Sequence, residues 1–189
     1  MDKKEIKKLF ENDQKIEIDE EGRKIIRVYV HNDDQFVSPY ASNGTPVLSG
    51  ETADFLNHSL KHLRFIDKIH FIIESNCIDD DEKKLYESAI KNYYHQELIE
   101  NKEQIKQKTK ISIIMILLGA IIFLIAIACS NSAGTLLLDI LDVIAWVFVW
   151  EAVDLFVLQR GTLKNQQLRY LQIMFSKITF QDIKLKEKN

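Results

Sequence analysis

The sequence predicts an α+β membrane protein: a small mixed β-sheet domain whose long helix continues into a two-helix transmembrane hairpin, with a C-terminal strand returning to the sheet. Three observations predict it. Residues 111–129, ISIIMILLGAIIFLIAIAC, hold no charged side chain over 19 positions, about the length needed to cross ~30 Å of hydrocarbon. A second apolar stretch, residues 136–158, follows after only the small and polar residues SNSAGT. Charged residues, 28% of the 189, crowd into 1–110 and 159–189 and leave the middle nearly bare, so water and lipid divide the chain between them.

Upstream of the apolar middle, QKIEI (14–18) and RKIIRVYV (23–30) flank the turn DEEG and read as a hairpin of two strands. Residues 31–49 form a loop, since Pro39, Pro46 and the Asn43-Gly44 pair forbid regular structure. In 50–63, Ala53, Leu56, Leu60 and Leu63 recur at helical spacing, with Ser49 placed as the cap. DKIHFIIES (67–75) alternates as a strand and closes a β-α-β unit that makes 23–30 and 68–74 parallel. From Asp79, paired with Glu82 as a capping box, neither Pro nor Gly interrupts the chain until Gly119. The cytosolic helix and the first membrane helix are therefore expected to be one. After the second span, KNQQLRYLQIMFSK places Leu168, Leu171 and Phe175 on one helical face, and residues 177–185 alternate like a strand added to the N-terminal sheet. The expected division is residues 1–110 as sheet domain and stalk, 111–158 as hairpin, and 159–189 as the helix and strand that complete the first domain.

Lys102, Lys106, Lys108 and Lys110 precede the hairpin and Arg160, Lys164 and Arg169 follow it, whereas the connecting turn carries no charge. The positive-inside bias then places both termini in the cytosol of a cell membrane. The basic start MDKKEIKKLFEND lacks an apolar h-region, so no cleavable signal is expected. Cys77 and Cys129 are too far apart and too differently placed for a disulfide framework. A net charge of −3 without a basic, aromatic-rich stripe argues against a nucleic-acid partner.

The second span carries four acids. Asp139, Val143, Val147 and Glu151 form one i,i+4 row, and Asp142, Trp146, Trp150 and Asp154 form the next. Its fifteen Leu, Ile, Val and Phe residues favour insertion by about 5–9 kcal/mol in all, against ~2.5–3.5 for one central Asp. Acids near the ends are therefore tolerated, and Asp142 and Glu151 are the costlier pair. Intramembrane acids suggest a cation path or an oligomer axis. The competing reading pairs Glu151 or Asp154 with Lys108 or Lys110 and sends Asp139 and Asp142 to the outer headgroups. Trp146 and Trp150 sit mid-helix, which favours packing on protein. The heptad-spaced Ser112, Gly119 and Ala126 of the first span offer them a groove.

In the cytosolic part, parallel strands bring Asp33 and Asp34 to the same sheet edge as Asp79, Asp80 and Asp81, a candidate site for a hard cation. The plainer reading is a helix-dipole complement beside a solvated loop. Asp54, His58 and His62 share a row suited to zinc, but on the side opposite the apolar face. Nucleotide-binding, serine-hydrolase and zinc-protease motifs do not occur in the sequence, and no cofactor or enzymatic activity is expected.

At FVSPYASNGTPVLSGETADFL, CIDDDEKKLYESAIKNYY and AWVFVWEAVDLF the chain resembles a group of uncharacterised bacterial membrane proteins of this layout. The resemblance implies the architecture and a bacterial membrane, and assigns no functional residue. The expected function is a non-enzymatic membrane tether for sensing, scaffolding or partner recruitment, with self-association or a protein partner at the second span. The alternative is a homo-oligomeric channel or transport subunit with residues 136–158 lining the path.

Overall fold

The computed structural model describes residues 17–40, 45–130 and 134–183. In chain order the elements are β1 (Lys24–Tyr29), α1 (Gly50–Ser59), β2 (Ile69–Glu74), α2 (Asp80–Cys129), α3 (Thr135–Val153), a π-helical stretch (Asp154–Gln159), α4 (Arg160–Met174) and β3 (Lys177–Gln181). The chain divides into two compact units, one of Met1–Gln96 with Arg169–Asn189, the other of Glu97–Leu168.

The first unit is built on a three-stranded sheet in the order β1-β2-β3. Both neighbours of β2 run parallel to it, β1 from Lys24 opposite Ile69 to Tyr29 opposite Glu74, and β3 from Lys177 opposite His70 to Gln181 opposite Glu74. A central parallel strand is covered on both faces, and residues 69–73 of β2 are all buried. The alternation expected of this segment is thus replaced by continuous burial.

The expected N-terminal hairpin lies partly outside the described residues. Within them it is a single antiparallel bridge, Ile18 to Lys24, with the Ile25 N–H donating to the Glu17 carbonyl at 2.8 Å. The named sheet is therefore wholly parallel rather than mixed. In the turn, Asp19 Oδ1 accepts from the backbone N–H groups of Glu21 and Arg23 at 2.9 and 2.8 Å, and Gly22 takes the left-handed φ of +75° that a side chain resists.

Ser49 caps α1 by accepting from the Thr52 N–H, and Ala53, Leu56, Leu60 and Leu63 are all buried. The loop before it is more ordered than its prolines suggest. Val37 bridges Leu48, Ser49 N–H donates to the Phe36 carbonyl, and the Phe36 ring stacks on Tyr86 of α2 at 4.5 Å. Asn43-Gly44 lies outside the described residues.

The capping box of α2 forms in both directions: Asp79 N–H donates to Glu82 Oε2 at 2.9 Å, and Glu82 N–H donates to Asp79 Oδ1 at 2.9 Å. From there α2 runs 50 residues without a break, as expected from its lack of helix breakers. Its first turns bury Tyr86, Ala89, Ile90 and Tyr94 in the core of the first unit, with Leu56, Phe71 and Ile73.

The face of α4 differs from expectation. Ile173 is fully buried and Tyr170 and Met174 pack against the core, while Leu168 and Phe175 are exposed. The helix is fixed by its polar residues. Arg169 Nη2 donates to the Leu63 carbonyl at 2.6 Å, and Gln172 Nε2 donates to the Arg64 and Asp67 carbonyls at 2.9 and 2.7 Å. These bonds engage carbonyls of the connection between α1 and β2. Burial pulls the Arg169 guanidinium below its ordinary pKa, while its cation lies 4.3 Å over the Phe65 ring.

Candidate functional site

In the second unit the usual distribution of side chains is inverted. The buried positions include the small residues Ser112, Ala145 and Ala152, whereas Ile113, Leu117, Ile121, Leu124, Val143 and Val147 are exposed. Among the described residues α2 is the one helix long and apolar enough to cross a membrane, with a mean hydropathy of 3.1 in its most apolar stretch. α3 carries Asp139, Asp142 and Glu151 within its 19 residues. Length and composition thus support one span of the two expected.

The two helices meet along the small-residue stripe. Ser112 Oγ donates to the Ala152 carbonyl at 2.8 Å. A Cβ placed on Gly119 would meet the Ala145 carbonyl oxygen and Val149 Cγ2, both at 3.2 Å. A seven-residue step up α2 is matched by a seven-residue step down α3, an antiparallel register that, continued one heptad further, would set Ala126 level with Leu138. Close backbone approach needs residues of this size. The stripe was legible in the sequence, but its occupant was not. Trp146 and Trp150 are 64% and 73% exposed; the groove is filled by Ala145, Phe148, Val149 and Ala152 instead. The reason is phase: 100° per residue sets the tryptophan row roughly a third of a turn round α3 from the row of Ala145, Val149 and Ala152.

The acids also fall otherwise than expected. Among the described residues no ion pair joins Lys108 or Lys110 to Glu151 or Asp154. Asp154 Oδ2 accepts from Gln159 Nε2 at 2.7 Å instead, the bond spanning the π-helical stretch from first residue to last. The wider turn brings side chains five apart into reach, where the chain passes from apolar to charged sequence. Asp139, Asp142 and Glu151 are exposed, with no partner among the described residues.

Below the apolar run lies a cleft of about 460 Å³ in which α2 contributes Lys102, Lys106 and Lys110 and the second strand of helix contributes Arg160. Ile113 and Ile114 line its apolar end. The Arg160 guanidinium sits 4.8 Å over the Phe156 ring, and its buried Nε finds no acceptor among the described residues.

The acidic edge of the sheet does not assemble as a cation site. Asp33 Oδ2 accepts from the Tyr86 hydroxyl at 2.8 Å. Burial, together with this bond to Asp33, raises the Tyr86 pKa well above its ordinary value. Asp34 bonds Asn32, Asp79 caps α2, Asp80 pairs with Lys83 at 2.7 Å, and the Asp81 N–H bonds Asp79. The carboxylates of Asp33, Asp34, Asp79 and Asp80 are committed locally, and among the described residues no cluster of three or more His, Cys, Asp or Glu is placed to hold a metal. Asp54, His58 and His62 lie on the exposed face of α1 and the segment after it, and His58 Nε2 is taken by Lys61 at 2.9 Å.

One polar group escaped the sequence reading. His70, buried in β2, faces Asp19 Oδ2 through Nδ1 at 3.0 Å and Thr179 Oγ1 of β3 through Nε2 at 2.9 Å. Burial opposes the Asp19 charge, yet bonds from Arg23, Glu21 and His70 hold its carboxyl below the ordinary value. Nδ1 thus shares a hydrogen bond with the Asp19 carboxylate and Nε2 one with the Thr179 hydroxyl. This order ties the N-terminal turn, the central strand and the C-terminal strand together. The signal was a lone His within the apolar run of residues 69–73. Compared with known protein families, curated proteins and solved structures, the chain gives no match.

Proposed function

We propose that the protein is a two-pass tether that holds a small α/β unit at the bacterial cytoplasmic membrane, both termini cytosolic, for sensing, scaffolding or partner recruitment without catalysis. The observation that carries this reading is the inverted helix pair, small residues inside and large aliphatic and aromatic ones outside, an arrangement suited to lipid and costly in water. In this reading α3 completes the hairpin because its aliphatic residues outweigh the cost of its acids, of which Asp142 and Glu151 are the costlier pair. Lysines and arginines on both flanks, with none in the connecting turn, support cytosolic termini, and the sequence resemblance supports a bacterial source. Reporters fused at Met1 and at Asn189 should both be active only in the cytosol, and the protein should resist alkaline extraction from membranes. Extraction into the soluble fraction would remove the membrane reading altogether.

A second reading, a homo-oligomeric channel, is favoured by one observation: Asp142 and Glu151 are exposed on α3 without a partner among the described residues. Liposomes carrying the wild type, Glu151→Gln or Asp142→Asn distinguish the two. The tether predicts no cation flux in any of them, and flux in the wild type that either substitution abolishes establishes the channel.

A further inference from the structure

We propose that the cleft bounded by Lys102, Lys106, Lys110 and Arg160 binds the phosphate headgroup of one anionic phospholipid, with its acyl chain over Ile113 and Ile114. The inference rests on the membrane reading above and adds a specific lipid site to it.

The first support is placement. Lys102, Lys106 and Lys110 recur every four residues on one face of α2, rising ~6 Å per step. The same face then becomes Ile113 and Ile114 as the apolar run of residues 111–129 begins. A charged ladder that turns apolar where lipid headgroups give way to hydrocarbon matches a phospholipid along its length, and free phosphate matches only its upper half.

The second is charge. No carboxylate lines the cleft; among the described residues the one acid bonded to a lining cation, Glu103, reaches Lys106 at 3.7 Å on an exposed surface. Lys102, Lys110 and Arg160, which have no carboxylate partner among the described residues, are complementary with Lys106 to a phosphodiester, and long basic side chains lay their stems on apolar surface while their heads reach the phosphate plane.

The third is Arg160. Its guanidinium is held against Phe156, and its buried Nε–H lacks an acceptor among the described residues. A buried donor without an acceptor is unfavourable, and a phosphate oxygen meets the need with a charge-assisted bond. The adjoining π-helical stretch ends at Gln159, and Arg160 opens α4 directly after it.

The test uses the full-length protein. Insertion is read first, by flotation with vesicles of phosphatidylcholine alone. Failure to float overturns the membrane reading and this proposal with it. Inserted protein in phosphatidylcholine nanodiscs containing a small fraction of phosphatidylglycerol is then released and examined by native mass spectrometry. The proposal predicts one retained phosphatidylglycerol per chain, enriched over phosphatidylcholine, and a loss of about fivefold in retention for each of Lys106→Gln and Arg160→Gln. Arg160→Lys should restore part of that loss. Lys164→Gln, outside the cleft, should retain lipid like the wild type. Equal retention of the two lipids, or retention unchanged in Lys106→Gln/Arg160→Gln protein of native circular dichroism, overturns the proposal while leaving insertion intact. Displacement of the lipid by millimolar inorganic phosphate would assign the cleft to a free anion and overturn the lipid assignment.

Discussion

The two units of this chain bury opposite kinds of residue. In the sheet unit Phe71, Leu56, Ile73 and Tyr94 are almost wholly buried and charged groups cover the outside. In the helical unit Ser112, Ala145 and Ala152 are buried beside Leu98 and Leu155, and most of the large apolar side chains face outward. The sheet unit is held by removal of apolar area from water, whereas the helix pair meets through close backbone approach and a polar bond, the means that the proposed lipid surroundings would leave it. The same 50-residue helix serves both schemes, supplying tyrosines at its beginning and a serine and a glycine further on.

The contrast predicts where large and small substitutions hurt. The largest effect is expected from Phe71→Ala, which removes a ring from the fully covered central strand. A loss of about 3–5 kcal/mol is a large fraction of the stability of a small unit. Hydrogen exchange should rise across β1, β2 and β3, while the apolar residues of α2 stay protected in micelles.

The helix pair should show the reverse sensitivity. Gly119→Leu drives a side chain into Ala145 and Val149 at a cost of about 1–3 kcal/mol, and truncating the far larger Trp146 and Trp150 should cost the pair little. In a Cys77→Ser, Cys129→Ser background, cysteines at Ala126 and Leu138 should cross-link on oxidation. The link should persist in Trp146→Ala/Trp150→Ala and fail in Gly119→Leu. Failure in the tryptophan variant alone would return the tryptophans to the groove.

Acid should act on the sheet unit first. Lys24, bonded to Asp67 at 2.7 Å, holds the Asp67 carboxyl below its ordinary value, against the opposing effect of burial and with help from the Arg64 N–H. The charged form is favoured in the fold, so this stabilisation is complete above the ordinary carboxylate pKa of about 3.9 and is lost as pH falls through the lowered value. Lys24→Met should therefore move the onset of acid unfolding to higher pH, read by near-ultraviolet circular dichroism. The smallest effect is expected from Ser112→Ala, since interhelical bonds in membranes average about 0.6 kcal/mol. It should slightly weaken the same cross-link.

Much of this was legible in the sequence. Ser49, Asp79 and Glu82 announced helix starts through local bonds that need no tertiary information, and the absence of breakers from Asp80 to Gly119 announced the long helix. The parallel pairing of β1 and β2 followed from connection length, and β3 from the return of the chain. Other features depend on what lies across a contact. The buried face of α4 is chosen by Arg169 and Gln172 reaching carbonyls of residues 63–67, more than a hundred positions away, which apolar spacing alone does not encode. The Ser112/Gly119 stripe was visible because close approach needs small residues, but its partner face was not, because the mid-helix position of Trp146 and Trp150 does not say which face of α3 meets the stripe. The acids were expected to seek lysines, and Asp154 found Gln159 because a π-helical turn altered the local spacing. His70 joins residues from distant parts of the chain, and a sequence scan for spaced motifs passes over such a trio.

The most direct test of the central claim is the sidedness of two thiols on one molecule in intact cells. Cys77 lies exposed on the sheet unit, and position 132 falls between the two apolar helices. In a Cys129→Ser background carrying Ser132→Cys, a membrane-impermeant maleimide should label position 132 from outside and reach Cys77 only after permeabilisation. Labelling of both positions from the same side would contradict the two-pass hairpin and the tether built on it.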